Sequence, residues 1–380
     1  MKINLNEGEV PMLRSFQTIL FASLLAGIVT GVHAQSDLSG LKVFGYFQIS
    51  LEHQKSLNRP YEANSFSVQQ LNLFLQRDIL QKWTAFVNFE LVNSYSSFRN
   101  WGAFSVEEAW VNYRASKQFK LKLGLQVPTF NNLNEIKNRT PLLPYIIRPL
   151  AYEASFNEVI SIYEYVPTRA FVQAYGFIPW REKKLDYALF IGDSPNINRD
   201  PLYGQTGVDT TKSFLVGGRF GLRSTNLKVG VSAAFDAFDL HAAAGTPRYA
   251  AADFKSVPRL RFGGDFSFLL GKLSWESEFI RVFYDDDYPE IDLDKDFYYG
   301  TLGYQFAERL FAYAGYWVTH EKVLPARDRK LIAPTLGLAY NFNDTIFLKA
   351  QAGRPQFKFT VPAVQEEKVY YYFLAVSAMF

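Results

Sequence analysis

The sequence predicts an all-β chain: a 16-stranded antiparallel transmembrane β-barrel with short periplasmic turns and a long third loop folded inward. Three observations carry this expectation. Stretches of about ten residues alternate apolar and polar with a period of two, the mark of a strand between two different environments. The connections between them alternate short and long. The composition is rich in aromatics (Phe 35, Tyr 23, Trp 6, or 17%) and poor in charge (20%), with a mean hydropathy of −0.09, as two opposite faces would average.

The same composition excludes several chemistries. Cys is absent, so there is no disulfide framework and no Cys-ligated metal or cluster. A net charge of +3 is too mild for a nucleic-acid partner. With 4 histidines, little is available for metal binding or proton transfer: His33 falls in the leader, His53 and His320 at strand ends, and His241 in a loop. No enzyme, cofactor or metal is expected. Asp285, Asp286 and Asp287, with Glu290, Asp292, Asp294 and Asp296, read as a solvated acidic loop, because the spacing is not that of an EF-hand.

Residues 18–32 form the one long apolar run, preceded by Arg14 and followed by Val32-His33-Ala34, a small-x-small cleavage pattern. Residues 1–34 therefore read as a secretory signal peptide cut before Gln35, with 1–11 as an over-extended start ahead of Met12. Residues 35–380 are the barrel domain, destined for the outer membrane of a Gram-negative bacterium.

Eight strands are regular: near 41–52, 83–92, 119–126, 214–223, 227–236, 259–268, 331–342 and 370–380. Their apolar faces, with Val87, Leu121, Val216, Val229, Phe262, Leu336 and Leu374 among them, hold no charged residue and are assigned to lipid. The opposite faces carry Lys42, Glu52, Glu90, Lys120, Lys122, Arg219, Arg223, Lys228, Asp236, Arg259, Arg261 and Asp265 and are assigned to the lumen. Short turns fall near 79–82, 115–118, 179–183, 224–226, 270–271, 307–308 and 343–344. Long loops fall near 53–65, 93–104, 128–168, 193–212, 238–257, 284–296, 320–330 and 353–368. Seven turns and eight loops join sixteen strands, the outer-membrane pattern with both termini periplasmic. Residues 157–165 also alternate but would make the count odd, so they are assigned to the third loop. Pro334 interrupts an apolar face, where it costs a ladder bond and predicts a bulge. The strand at 310–319 has aromatics on both faces, so its parity stays open.

Aromatics collect at the strand ends next to the short turns: Tyr113, Phe119, Phe268, Phe306, Tyr340 and Phe342. They are expected to form a girdle at the water–lipid boundary. The last strand alternates up to Phe380, which resembles the signal read by the barrel-insertion machinery. Sixteen strands enclose more space than their side chains fill, so the interior is a channel. Loop 128–168 is much the longest connection and is expected to fold in and narrow it, with Lys137, Arg139 and Arg148 at the constriction.

Val106-Glu107-Glu108-Ala109-Trp110-Val111-Asn112-Tyr113, a short turn, and Leu121-Lys122-Leu123-Gly124-Leu125-Gln126-Val127-Pro128 resemble the fourth and fifth strands of the phosphate-selective porin O and P family. The resemblance implies sixteen strands, an inward third loop, homotrimers and anion passage past inward Arg and Lys. By position, Lys120, Lys122, Arg219, Arg223, Arg259 and Arg261 are the pore-lining candidates. With the less regular strands included, inward basic and acidic residues nearly balance, which predicts weak selectivity unless the signs are segregated by depth.

The expected function is passive diffusion of small hydrophilic solutes through a water-filled channel, with anions or phosphate preferred. The alternative is a selective transporter of a larger or hydrophobic substrate. Expected partners are outer-membrane lipid and lipopolysaccharide, small solutes or anions, and the insertion machinery.

Overall fold

The computed structural model describes residues 40–58, 60–93, 103–153, 168–194, 213–239, 256–284, 293–323, 328–359 and 366–380. The predicted leader, the 157–165 stretch and the acidic run 285–292 lie outside the described residues.

Among the described residues, seventeen antiparallel strands make one sheet. The first six are β1 (Leu41–Ser56), β2 (Glu62–Leu80), β3 (Trp83–Asn93), β4 (Ala103–Arg114), β5 (Lys120–Gln126) and β6 (Arg169–Trp180). The next six are β7 (Lys183–Asp193), β8 (Phe214–Arg223), β9 (Leu227–Asp239), β10 (Ser256–Leu270), β11 (Leu273–Tyr284) and β12 (Leu293–Ala307). The last five are β13 (Leu310–Val323), β14 (Arg329–Asn341), β15 (Ile346–Gly353), β16 (Gln356–Phe359) and β17 (Glu367–Met379). β15 and β16 both pair with β14 on one side and β17 on the other, so they are two halves of one stave and the barrel has sixteen staves.

Closure runs through β1 and β17, in register from Tyr46 opposite Met379 to Ser56 opposite Val369. Beyond the ladder, Gly45 and Phe380 exchange both backbone hydrogen bonds, at 2.9 and 3.0 Å. Closing the sheet leaves no edge, which a hydrocarbon surround requires because it offers no hydrogen bonds.

The seven short turns occur where the sequence puts them. Arg181 (φ 54°) and Gly271 (φ 58°) take the left-handed conformation that two-residue hairpin turns favour. At the other end the strands outrun the expectation: β1 reaches Ser56, β13 reaches Val323, and β16 lies within what reads as loop 353–368. Above the bilayer, backbone pairing continues without demanding apolar alternation.

Side chains separate by face as expected. Leu189, Val216, Val231, Phe262, Leu336 and Leu374 are exposed on the outside, where lipid replaces water. Phe119, Phe268, Phe306, Tyr340 and Phe342 are exposed beside the short turns. The structure also decides the parity of β13: Tyr313 and Trp317 point inward and are buried, and Tyr316 points out.

Pro334 makes no bulge. β14 stays in register with β13 through Tyr316 opposite Pro334. The irregularity is in the neighbour, at Arg354-Pro355 between β15 and β16, and the Arg354 N–H donates to the Pro334 carbonyl at 3.1 Å. The missing proline N–H therefore faces the break in the next stave. A real bulge lies between β3 and β4, where Asn88 pairs with Glu108 but Phe89 pairs with Val106. It leaves Glu107 as the extra residue, its carboxylate accepting from the inward Ser105 hydroxyl at 2.9 Å.

Candidate functional site

After β5 the chain turns into the barrel. Residues 127–153 run inside it, with Phe130, Leu133, Tyr145, Ile146, Ile147, Leu150 and Tyr152 all buried. They form one apolar cluster with inward residues of β6 to β17, including Phe171, Ile280, Phe297, Tyr313, Trp317 and Phe373. Tyr145 meets Tyr313 and Trp317 edge-on at 5.1 and 6.0 Å between centroids. An inward aromatic on a barrel wall is thus covered by the loop instead of by water.

A loop in this position must still satisfy its backbone. The wall does so with inward polar side chains. The Glu278 carboxylate accepts from the N–H of Asn132 at 2.9 Å and of Leu133 at 2.7 Å, and from the Tyr152 hydroxyl. Gln173 accepts from the Thr129 N–H at 2.8 Å, and Ser232 from the Asn131 N–H at 2.9 Å. Lys349 donates to the carbonyls of Thr140, Pro141 and Tyr145 at 2.9, 3.0 and 3.3 Å. From β2, Gln69 donates to the Ile146 carbonyl at 2.6 Å, and Gln70 donates to the Asn138 carbonyl. The loop therefore spans from β6 across to β11 and back to β15, β1 and β2.

The inward groups that keep contact with water gather on β4 to β6 and on the facing side of the loop. Arg114 and Lys120 are cross-strand partners, with Lys122 next on β5. The Lys120 ammonium lies 5.3 Å from the Tyr175 ring centroid, and the Lys122 ammonium lies 5.2 Å from the Trp110 ring and 3.9 Å from the Glu135 carboxylate. Glu108 accepts from the Trp110 indole N–H at 3.0 Å. Arg139 is exposed, and the Tyr46 hydroxyl lies within electrostatic reach of Arg139 and Arg148 on the loop and of Glu90 and Glu108 on the wall.

The other predicted cations are placed differently. Lys137 is turned into the loop, donating to the Asn134 side-chain oxygen at 2.9 Å. Burial, with the Arg148 charge nearby, pushes its pKa well below the ordinary lysine value, against the opposing pull of Glu107. Arg148 donates to the Lys137 carbonyl at 2.8 Å and lies 3.5 Å from the Glu153 carboxylate. Arg219, Arg259 and Arg261 point inward, yet all three are buried. Arg219 is clamped by Asp265 through two hydrogen bonds of 2.8 and 2.7 Å and is also bonded to Asp186. Its guanidinium fills the space over Gly221 and Gly230, where a Cβ would come within 2.7 and 2.3 Å of it. Asp236 accepts from Arg259 at 2.9 and 2.6 Å and from Arg261 at 2.7 Å, with the Ser194 hydroxyl donating at 2.7 Å. Arg223 stays half-exposed, 3.7 Å from Asp186. Parity gives a side chain's direction but not the carboxylate waiting on the next strand.

Sequence reasoning missed the groups that hold the loop. Lys349 and Glu278 read as lumen charges, and Gln69, Gln173 and Gln351 drew no attention. Their signal was a polar side chain at an inward position of a strand.

No family model matches the chain, and no curated protein matches it. Solved structures do. The anion-selective porin from Comamonas acidovorans is 10% identical with a TM-score of 0.61, covering 90% of this chain and 99% of that one. Pseudomonas putida OprB is 10% identical with a TM-score of 0.61, over 92% and 96%. The outer membrane channel DcaP of Acinetobacter baumannii is 10% identical with a TM-score of 0.57, over 90% and 97%. At such identities the likeness is one of fold: the chain is a porin-like outer-membrane β-barrel, a fold that belongs in the outer membrane of a Gram-negative bacterium.

Proposed function

We propose that the protein is a passive channel for small hydrophilic solutes, narrowed by residues 127–153 and mildly selective for anions, phosphate among them. The observation that carries this reading is the loop fastened inside the barrel by inward side chains of β6, β9, β11, β15 and β2, while basic groups on β4 and β5 are not engaged in holding it. Arg114, Lys120 and Lys122 form a basic stripe there. A passing anion exchanges part of its hydration for ammonium and guanidinium contacts, which suit carboxylate and phosphate geometry. Glu135 beside Lys122, and Glu108 nearby, keep the preference modest. The ion-paired Arg219, Arg259 and Arg261 add little to it. The resemblance of the β4–β5 segment to the phosphate-selective porins supports the phosphate part. A trimeric form of the similarly folded OmpT of Vibrio cholerae (13% identical, TM-score 0.57) supports assembly as a homotrimer.

The test is the reversal potential of single channels in a potassium chloride gradient. The wild type should favour chloride, and Lys120→Gln with Lys122→Gln should move it toward zero selectivity. Added phosphate should reduce the chloride current. An unchanged reversal potential in the double variant would sink the assignment of the stripe. A folded barrel that passes no ions would favour the selective transporter instead.

A further inference from the structure

The outside of the barrel carries a charged patch that the channel does not need. On the strand end away from the short turns, Lys330 of β14 lies directly opposite Lys358 of β16, and Gln356 lies opposite Lys368 of β17. The inward neighbours fix their direction: Leu331 and Phe357 are buried in the interior cluster, and Val369 packs against it. Alternation therefore sends Lys330, Lys358 and Lys368 outward; Lys358 is exposed, and Lys330 and Lys368 are half-buried. Arg354 is exposed on the same face, its guanidinium against the Gln356 amide.

Like charges directly opposite in a ladder are destabilising. Elsewhere on this rim the charges are paired: Lys55 with Glu62, Lys322 with Asp296 and Arg329 with Glu321. Among the described residues, none of the three lysines has an ion pair. Two acids lie at their level: Glu367, opposite the inward Phe357, and the exposed Glu366, whose backbone carbonyl accepts from the Asn58 side-chain amide.

Directly below the cations, the outer wall is hollow. A groove of about 650 Å³ is floored by Ala312, Ala350 and Ala352 and walled by Leu336, Tyr372 and Leu374. Ala350 pairs with Leu374 and Ala352 with Tyr372, so small residues sit between large ones at successive levels. Tyr370 and Tyr372 stack at 6.4 Å between centroids, marking the water–lipid boundary between groove and lysines.

We propose that this face binds a phosphorylated glycolipid of the outer leaflet, the lipid A part of lipopolysaccharide. Its phosphates are held by Lys330, Lys358, Lys368 and Arg354, and an acyl chain lies in the alanine-floored groove. Charge complementarity commits the site to this occupant: four cations with no ion pair among the described residues, within reach of an apolar slot, suit an anionic amphiphile. The assignment rests on the reading of the long-loop end as the outer side. It is independent of what passes through the pore.

The test uses the full-length protein in detergent and native mass spectrometry with two probes, bisphosphorylated lipid A and the same lipid stripped of both phosphates. The wild type should hold the phosphorylated form at least tenfold more tightly. Combined Lys330→Gln, Lys358→Gln and Lys368→Gln should erase that difference, and Ala352→Phe should weaken both lipids. Unaltered single-channel conductance in the same variants would show that the loss belongs to the outer face, leaving the channel reading untouched. Equal retention of the two lipids by the wild type, a comparison that needs no variant, would overturn the proposal. So would loss of oligomers in Ala352→Phe with lipid retention unchanged, which would make the groove a contact between copies.

Discussion

Gln351 and Ile147 clasp each other: the Gln351 Oε1 accepts from the Ile147 N–H at 2.9 Å, and its Nε2 donates back to the Ile147 carbonyl at 3.1 Å. The same Oε1 takes the Ile146 N–H at 2.7 Å. One barrel side chain thus does for the loop what a neighbouring strand would do, at the point where the loop crosses its apolar bed.

Gln351→Leu should therefore loosen the constriction while sparing the barrel. It strands two buried N–H groups and a carbonyl, each costing about 1–3 kcal/mol when unpaired. Single-channel records should show larger or noisier conductance. Deleting residues 132–146 should raise conductance further, with the barrel still folded. Unchanged conductance in the deletion would mean that the narrowest level lies elsewhere.

Asp236 and Arg261 should respond unequally. Asp236→Asn leaves Arg259 and Arg261 buried side by side without their shared carboxylate, and breaking a buried pair typically costs about 3–5 kcal/mol. Arg261→Leu leaves Asp236 still bonded to Arg259 and opens nothing to water. Denaturant unfolding in detergent should separate the two variants, and the conductance of Arg261→Leu should stay close to that of the wild type. A large conductance change in Arg261→Leu would return that arginine to the pore lining.

The lipid face is tested by Leu336→Arg and Val231→Arg, on strands five apart in the sheet. These side chains are 63% and 65% exposed, toward lipid. Each substitution should cost about 2–4 kcal/mol near the midplane. Folding yields into vesicles across a urea series measure the cost. Normal insertion of both would reverse the face assignment.

Closure at Gly45 should be sensitive to any side chain. A Cβ there would stand 2.3 Å from the Asn72 backbone oxygen and 2.6 Å from the Phe380 ring. Because the backbone is one of the two obstacles, Gly45→Val should strain the seam by about 1–3 kcal/mol, as overpacking does. The temperature at which the folded form loses its compact electrophoretic mobility should fall. An unchanged temperature would show that the seam has slack.

Much of the wall was legible in the sequence because its regular strands answer to a local rule. Lipid on one side forbids charge at every second residue, so Val216, Phe262 and Leu336 declare their direction without knowledge of any neighbour. Short turns declare themselves by the brevity of the gap, and the length of the third loop announced that it had a task. What the sequence withheld were relations across strands and across the lumen. Arg219, Arg259 and Arg261 read as pore-lining cations until the fold set Asp265, Asp186 and Asp236 beside them. Pro334 read as a defect in its own strand until the break at Arg354-Pro355 was found opposite it. Lys349 read as a lumen charge and Gln351 drew no attention until loop carbonyls and N–H groups came within hydrogen-bond reach of them. The outward lysines Lys330, Lys358 and Lys368, on three different strands, became one patch through register alone. Period and charge are properties of a segment, and the chain writes them in order. Ion pairing, loop docking and surface patches depend on which segments meet, and only closing the sheet decides that.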